Sequence, residues 1–198
     1  MIHLVDDDLA VTNSCAFLLE CMGYCVRSWN RSEDFLHNAP LYEQGIALLD
    51  MRMPGMDGHE LFQAMRDKNS TLAVIFLTGH GDIPMAVKEM QLGAVNFLQK
   101  PVAAEALKAA IFAGYEHTKT LNETYSLQRR FQRLTPKEKN VAQYIVAGMM
   151  NKDIALRMNI ALRTVEVHRS KVMEKMEAKT MAELIYQLNK IPVSGSLP

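Results

Sequence analysis

The chain has 198 residues, nearly half of them apolar, and its 22 Lys and Arg balance 22 Asp and Glu. That excludes a disordered or collagen-like chain and allows one domain of ordinary size plus a small one. The neutral total hides a polarity: residues 1–116 hold 8 Lys and Arg against 15 Asp and Glu, and residues 117–198 hold 14 against 7. An acidic front and a basic back imply two modules with different partners, the basic one suited to nucleic acid. Cys15, Cys21 and Cys25 are odd in number and lack the paired spacing of metal ligands, which fits a reduced, cytoplasmic setting. No signal peptide precedes Asp6, and no apolar run nears the roughly 18 residues of a membrane span, so a soluble chain is expected.

Ile2–Val5 is a short apolar strand that runs into three aspartates. A helix follows over Leu9–Met22, with Val11, Phe17, Leu18 and Leu19 at helical spacing and Gly23 as its stop. Cys25–Trp29 reads as the second strand, and Ser32 can cap a short helix through Leu36. Ile46–Leu49 is the third strand and ends at Asp50. Asp57–Arg66 is helical, Leu72–Leu77 is a fourth strand ending at Thr78, and Pro84 suits the first turn of a helix to Leu92. Val95–Leu98 is a fifth strand, close to Lys100-Pro101, where Lys before Pro invites a cis bond. A last helix of this half begins near Ala103.

Five strand-plus-helix units predict a parallel sheet covered on both faces, with functional groups beyond the carboxyl ends of the strands. Asp6, Asp7, Asp50, Thr78 and Lys100 all sit at such ends, so one concave site can collect them. Clustered carboxylates repel unless a cation intervenes, and an all-oxygen set without Cys or His favours Mg2+ over zinc. A metal-supported Asp can accept a phosphoryl group, with Lys100 supplying fixed charge and Thr78 a hydroxyl. Gly55 and Gly58 permit the tight loop after the third strand, and Gly79 lets a phosphoryl group approach the backbone. Taken singly, each residue also has a bland reading as a cap, a turn or a strand terminus.

Val5-Asp6-Asp7-Asp8, Leu48-Leu49-Asp50-Met51-Arg52-Met53-Pro54-Gly55-Met56-Asp57-Gly58, Leu77-Thr78-Gly79-His80-Gly81 and Phe97-Leu98-Gln99-Lys100-Pro101 resemble the signature blocks of receiver domains. The resemblance covers residues 1 to about 116 and implies a flavodoxin-like α/β fold with strand order 2-1-3-4-5, for which a receiver is a standard example. It implies Asp50 as phospho-acceptor, Asp6, Asp7, Asp50 and the Arg52 backbone carbonyl as Mg2+ ligands, and Thr78 and Lys100 as phosphoryl contacts. Thr78 and Phe97 correspond to the family's switch pair, and a sensor histidine kinase to the donor. Asp8 matches a third acid that need not bind metal, and Asp57 a loop-shaping position. Val87, Met90, Gln91, Val95 and Phe97 form the expected output face, able to support a homodimer on phosphorylation.

Residues 117–132 are polar and read as a linker that can be helical. From Leu134 the pattern is helical with short turns. Thr135, Pro136 and Glu138 make a capping-box start, Val141, Ile145 and Val146 a buried stripe, and Gly148 a stop. Asn151 can cap the next helix, with Ile154, Ala155, Leu156 and Met158 facing inwards. A turn over Asn159–Leu162 leads to a helix ending near Met176, and Thr180–Leu188 forms a fourth. Two helices joined by a tight turn, the second polar and basic, describe a helix-turn-helix. Residues 133–198 are thus read as an all-α DNA-binding domain whose tail, Pro192–Pro198, is disordered.

Leu134-Thr135, Gly148, Asn151-Lys152-Asp153-Ile154-Ala155, Thr164-Val165-Glu166-Val167-His168 and Lys175-Met176 resemble a LuxR-type (GerE-like) domain over about 132–190. That implies phosphate contacts from Lys152 and Thr164 and a major-groove helix offering Glu166, Val167, His168, Arg169, Ser170, Lys171 and Lys175 to promoter DNA. Ala161 departs from the usual Ser and puts a turn cap in question. Glu166 replaces a more frequent Lys, which implies a different base preference. Receiver plus LuxR-type domain is the FixJ/NarL arrangement of two-component response regulators, closer here to FixJ. It implies a transcription regulator acting with RNA polymerase, and no enzyme beyond its own phosphoryl transfer and slow dephosphorylation. Two other readings stand beside it. One is a Mg2+-dependent aspartyl phosphatase, for which neither a second general acid nor a substrate cap is visible. The other is a receiver that works without phosphorylation.

Overall fold

A computed structural model of the chain describes residues 1–79 and 83–191, apart from the side chains of residues 83, 84 and 86. His80 and Gly81 of the third receiver-like block, Asp82, and the tail 192–198 lie outside the described residues. The chain divides into two compact units, Met1–Asn122 and Glu123–Pro198.

The first unit alternates strand and helix: β1 (Ile2–Val5), α1 (Leu9–Cys21), β2 (Val26–Trp29), α2 (Ser32–Asn38), β3 (Ile46–Asp50), α3 (Gly58–Asp67), β4 (Ala73–Thr78), α4 (Ile83–Gln91), β5 (Asn96–Gln99) and the start of α5 (Ala104–Gln132). The strands pair in parallel in the order β2-β1-β3-β4-β5, as expected for the flavodoxin-like arrangement. The pleat sends alternate residues to opposite faces, so both faces of β3 and β4 are apolar. Ala47, Leu49, Val74 and Phe76 meet α2 and α3 through Phe35, Leu61, Phe62 and Met65. Ile46, Leu48, Ile75 and Leu77 meet α1 and α5 through Leu19, Leu107, Ala110 and Ile111. Parallel pairing brings all the strand carboxyl ends to one edge, which is what gathers the distant aspartates.

Two local expectations change. Phe17, counted among the apolar spacing of α1, is exposed, and Thr12 and Leu19 carry the buried side instead. Ser32 does not cap α2; it is the first helical residue, and its hydroxyl donates to the Met56 carbonyl at 2.8 Å. It thereby ties down the loop that follows Asp50. A second buried polar group, His3, lies in the sheet with 1% exposure. Its Nδ1 accepts from the indole N–H of Trp29 at 3.2 Å, so the ring carries its proton on Nε2, which is buried without a partner.

The second unit holds α6 (Pro136–Val146), α7 (Asn151–Met158), α8 (Leu162–Met176) and α9 (Met181–Lys190). The segment 117–132, read as a linker, is helical throughout as part of α5, and its Leu127 and Phe131 join the core of this unit. Thr135 and Glu138 form the expected capping box, with Pro136 in the first turn of α6. Val141 and Ile145 are buried, but Val146 faces solvent. Asn151 is not the cap of α7: Met150 holds that position, without a side-chain bond. Leu156, expected inside, is the most exposed large apolar side chain among the described residues at 82%. Only Ile154 and Ala155 of that helix are buried, because eight residues give barely two turns and one narrow inner stripe.

Candidate functional site: an acidic pocket and a helix-turn-helix

Asp6 follows directly on β1, and Asp50 is the last residue of the neighbouring β3. Asp6, Asp7 and Asp50 offer carboxylate oxygens that all lie within 4.8 Å of one another, with Asp6 and Asp50 buried and Asp7 exposed. Across from β3, Lys100 follows β5. Its Nζ donates to Asp6 Oδ2 at 2.6 Å and to Asp50 Oδ1 at 2.5 Å. The Lys100-Pro101 bond is cis. The backbone N–H of Lys100 donates to the Thr78 carbonyl at 2.7 Å, which sets its distance from the end of β4.

Asp50 Oδ2 accepts from the Arg52 N–H at 3.1 Å. Burial raises the Asp50 carboxyl above its ordinary value, and Asp6 adds to this, while Lys100 and the Arg52 N–H oppose it. On the Lys100 ammonium burial is the largest influence and pushes down, yet the bonds from Asp50 and Asp6 outweigh it and hold the group above its usual range. The pocket is therefore a cation held between two buried carboxylates, with a third at the rim. That donor set of hard oxygens at one point fits a divalent cation such as Mg2+.

Thr78 ends β4 beside this cluster and is buried, with its hydroxyl donating to the Gly79 carbonyl at 3.3 Å. A side chain at Gly79 would meet nothing within 4 Å. Phe97 is partly buried against the core, its ring 6.3 Å from that of Phe76. Asp8 caps α1 by accepting from Ala10 N–H at 2.8 Å, the cap role that a metal ligand would not need. Asp57 caps α3 in a capping box with Glu60. Gly58 is required there: a Cβ would stand 2.3 Å from the Asp50 carbonyl oxygen. Asp7, Met51, Arg52, Met53, Pro54, Asp57 and Met85 line an open concavity at this edge.

One pair of residues near the site was not singled out by sequence. His59 Nδ1 in α3 lies 2.6 Å from Oε1 of Glu89 in α4, and Glu89 is completely buried. An acid in an otherwise ordinary helical stretch carries no sequence signal for burial.

In the second unit, α7 and α8 are joined by Asn159 in the left-handed region and Ala161 at the N-cap of α8, which makes no side-chain cap bond. Lys152, Thr164, Glu166, Val167, Ser170 and Lys171 are exposed. His168 and Arg169 are half-buried, with a guanidinium nitrogen of Arg169 3.4 Å from the Met181 sulfur. Lys175, expected on the exposed face, is instead turned to the interior. Its Nζ donates to the buried Glu138 at 2.6 Å, and the bond outweighs burial to hold that carboxyl below its ordinary value.

Residues 2–112 match the family described as response regulator receiver domain, and residues 132–187 match the bacterial regulatory proteins of the luxR family. The tetrathionate response regulatory protein TtrR of Salmonella typhimurium is 54% identical over 194 residues, covering 96% of this chain and 92% of its own. The transcriptional regulatory protein FixJ of Rhizobium meliloti is 39% identical over 188 residues, covering 93% and 92%. Among solved structures, the response regulator StyR aligns with a TM-score of 0.68 at 36% identity over 96% of this chain and 98% of its own. These relatives are transcriptional regulators and not enzymes, and among the described residues no helix is long and apolar enough to cross a membrane. Sheet order, acidic pocket, tandem helices and both matches have one meaning: the chain belongs to the two-component response regulators of FixJ/NarL type, a receiver joined to a LuxR-type DNA-binding domain.

Proposed function

We infer that Asp50 takes a phosphoryl group from a sensor histidine kinase and that this loading controls promoter binding by α8. The observation that carries the reading is Lys100 Nζ, which bridges Asp6 and Asp50 at the carboxyl edge of the sheet beside Asp7. In the transfer, an Asp50 oxygen attacks phosphorus, and the bond to the donor's imidazole nitrogen breaks. Asp6, Asp7, Asp50 and the Arg52 carbonyl would hold Mg2+, which supplies neutralising charge for the phosphoryl oxygens. Lys100 then exchanges its contact with Asp50 for one with the new phosphoryl group, which keeps the cation paired throughout. Thr78 donates its hydroxyl to the same group, and its movement makes room for Phe97 to turn inwards. Slow hydrolysis of the acyl phosphate by the same pocket resets the receiver.

On DNA, Lys152, Thr164, His168, Arg169 and Lys171 serve phosphates, and Glu166, Val167 and Ser170 face base edges. Lys175 supports α8 from within. Phosphorylation promotes a homodimer through the face that includes Val87 and Met90, both exposed. The dimer acts in the cytoplasm with RNA polymerase as an activator, and likeness to TtrR points to genes of tetrathionate respiration. Incubation with acetyl phosphate and Mg2+, read on a phosphate-affinity gel and by promoter footprinting, tests this. Wild type shifts and gains a footprint, and Asp50→Asn does neither. Label on Asp50→Asn, or a footprint indifferent to acetyl phosphate, overturns the reading.

A further inference from the structure

Helix α4 buries an acid. Of its described side chains, Met85, Val87, Lys88, Met90 and Gln91 are exposed, and the fully buried one is the carboxylate of Glu89. None of these side chains enters either core cluster of the receiver. An amphipathic helix is ordinarily held by its apolar stripe, and here the described apolar side chains, Met85, Val87 and Met90, are exposed. Among its described side chains, the inward contact is a polar pair: His59 Nδ1 against Glu89 Oε1 at 2.6 Å. The second oxygen, Oε2, is buried and has no hydrogen-bond partner among the described residues. A buried carboxylate stays in place only while it is paired, so the pair is a strong tie between α3 and α4.

Both ends of the tie lead somewhere. His59 is the residue after Gly58, whose N–H donates to the Met51 carbonyl at 3.2 Å and whose bare Cα lies against the Asp50 carbonyl. The first turn of α3 is thus seated on the backbone of the acidic pocket. At the other end, the Glu89 carbonyl accepts N–H bonds from Leu92 and Ala94 at 3.1 and 3.0 Å, which shape the turn into β5, the strand of Phe97.

The geometry points to a tether: the His59–Glu89 pair holds α4 against α3, and its strength sets how readily α4 is displaced when Asp50 is loaded. His59 and Glu89 are positioning residues, acting on α4 and not on the phosphoryl group. The loading step rests on the Asp50 reading above; the tether itself does not.

Hydrogen exchange of the full chain tests it. Glu89→Met replaces the carboxylate with an apolar side chain of similar length and leaves the partly exposed His59 ring to water. Glu89→Gln keeps an acceptor for His59. Expected is faster exchange of α4 amides in Glu89→Met, by about tenfold or more for a lost hydrogen bond to a charged group, with β1 and β3 unchanged. Glu89→Gln stays within about threefold of wild type on the same reasoning. Beryllofluoride with Mg2+ then serves as phosphoryl mimic, its binding read by a fluorine resonance that Asp50→Asn abolishes. Bound mimic speeds α4 exchange in wild type and adds less than about twofold in Glu89→Met, where the tie is already gone. Wild-type α4 exchange in Glu89→Met, or faster exchange spread evenly over β1, β3 and α4, overturns the tether. So does a bound mimic that leaves wild-type α4 unchanged. Absence of the fluorine resonance in wild type sinks the Asp50 reading instead, and the comparison without mimic still decides the tether.

Discussion

Acidification from pH 7 to pH 4.5 removes about 2 kcal/mol of receiver stability through His3 alone, by proton linkage. The His3 ring is 1% exposed between Trp29 and Phe35, with centroids 6.0 and 5.7 Å away. Burial, then the chain's amino terminus, then Arg27 lower its pKa from 6.5 to about 4. Below pH 6.5 the unfolded chain takes up a proton that the folded chain refuses, so stability is full above that value and is lost as pH falls towards 4. The full span corresponds to about 3 kcal/mol at 1.36 kcal/mol for each pKa unit. His3→Asn separates this from every other titration. Asparagine does not titrate, and its side-chain oxygen can stand where Nδ1 accepts from Trp29. Its packing cost is the same at every pH. Trp29 is the chain's one tryptophan, so urea unfolding of the full chain followed by its fluorescence reports the receiver alone. The stability difference between wild type and His3→Asn should change by about 2 kcal/mol between the two pH values. Parallel stability curves for the two proteins would refute the reasoning and place His3 in a solvated or charged state.

Other residues give further tests. Ala161 has the backbone of an N-cap (φ −67°, ψ 148°) without a capping side chain. Ala161→Ser should therefore stabilise the helical domain by about 1 kcal/mol, read as slower exchange of the first α8 amides. Gly58→Ala drives a Cβ to 2.3 Å from the Asp50 carbonyl, a backbone atom that cannot swing away. It should cost the receiver about 1–3 kcal/mol in Trp29-detected unfolding, and a neutral result would mean that the loop after β3 yields freely. Lys171→Ala should lower the salt dependence of promoter binding by about one counterion. Lys175→Ala should leave that slope unchanged and instead destabilise the domain, because it strands the buried carboxylate of Glu138.

The order of elements was legible because its signals are local. Apolar runs of strand length stop at Asp, Thr or Lys, helices open on capping residues, and Gly148 takes a positive φ at the end of α6. Parallel strands then oblige their carboxyl ends to share an edge, so Asp6, Asp50, Thr78 and Lys100 could be placed together from sequence alone. What the linear pattern could not decide was which way individual side chains face on short helices. Phe17, Val146 and Leu156 fit an apolar count but look outwards, and Lys175 fits a basic face but turns in to Glu138. A rotation of 100° per residue leaves such positions to the packing of neighbouring elements, which no periodicity contains. The length of α5 is another tertiary decision: its polar second half is helical, with Leu127 and Phe131 in the second core. The His59–Glu89 pair belongs wholly to the fold. Thirty residues separate its members, each unremarkable on its own helix, and only the packing of the fold buries the carboxylate and brings His59 to it.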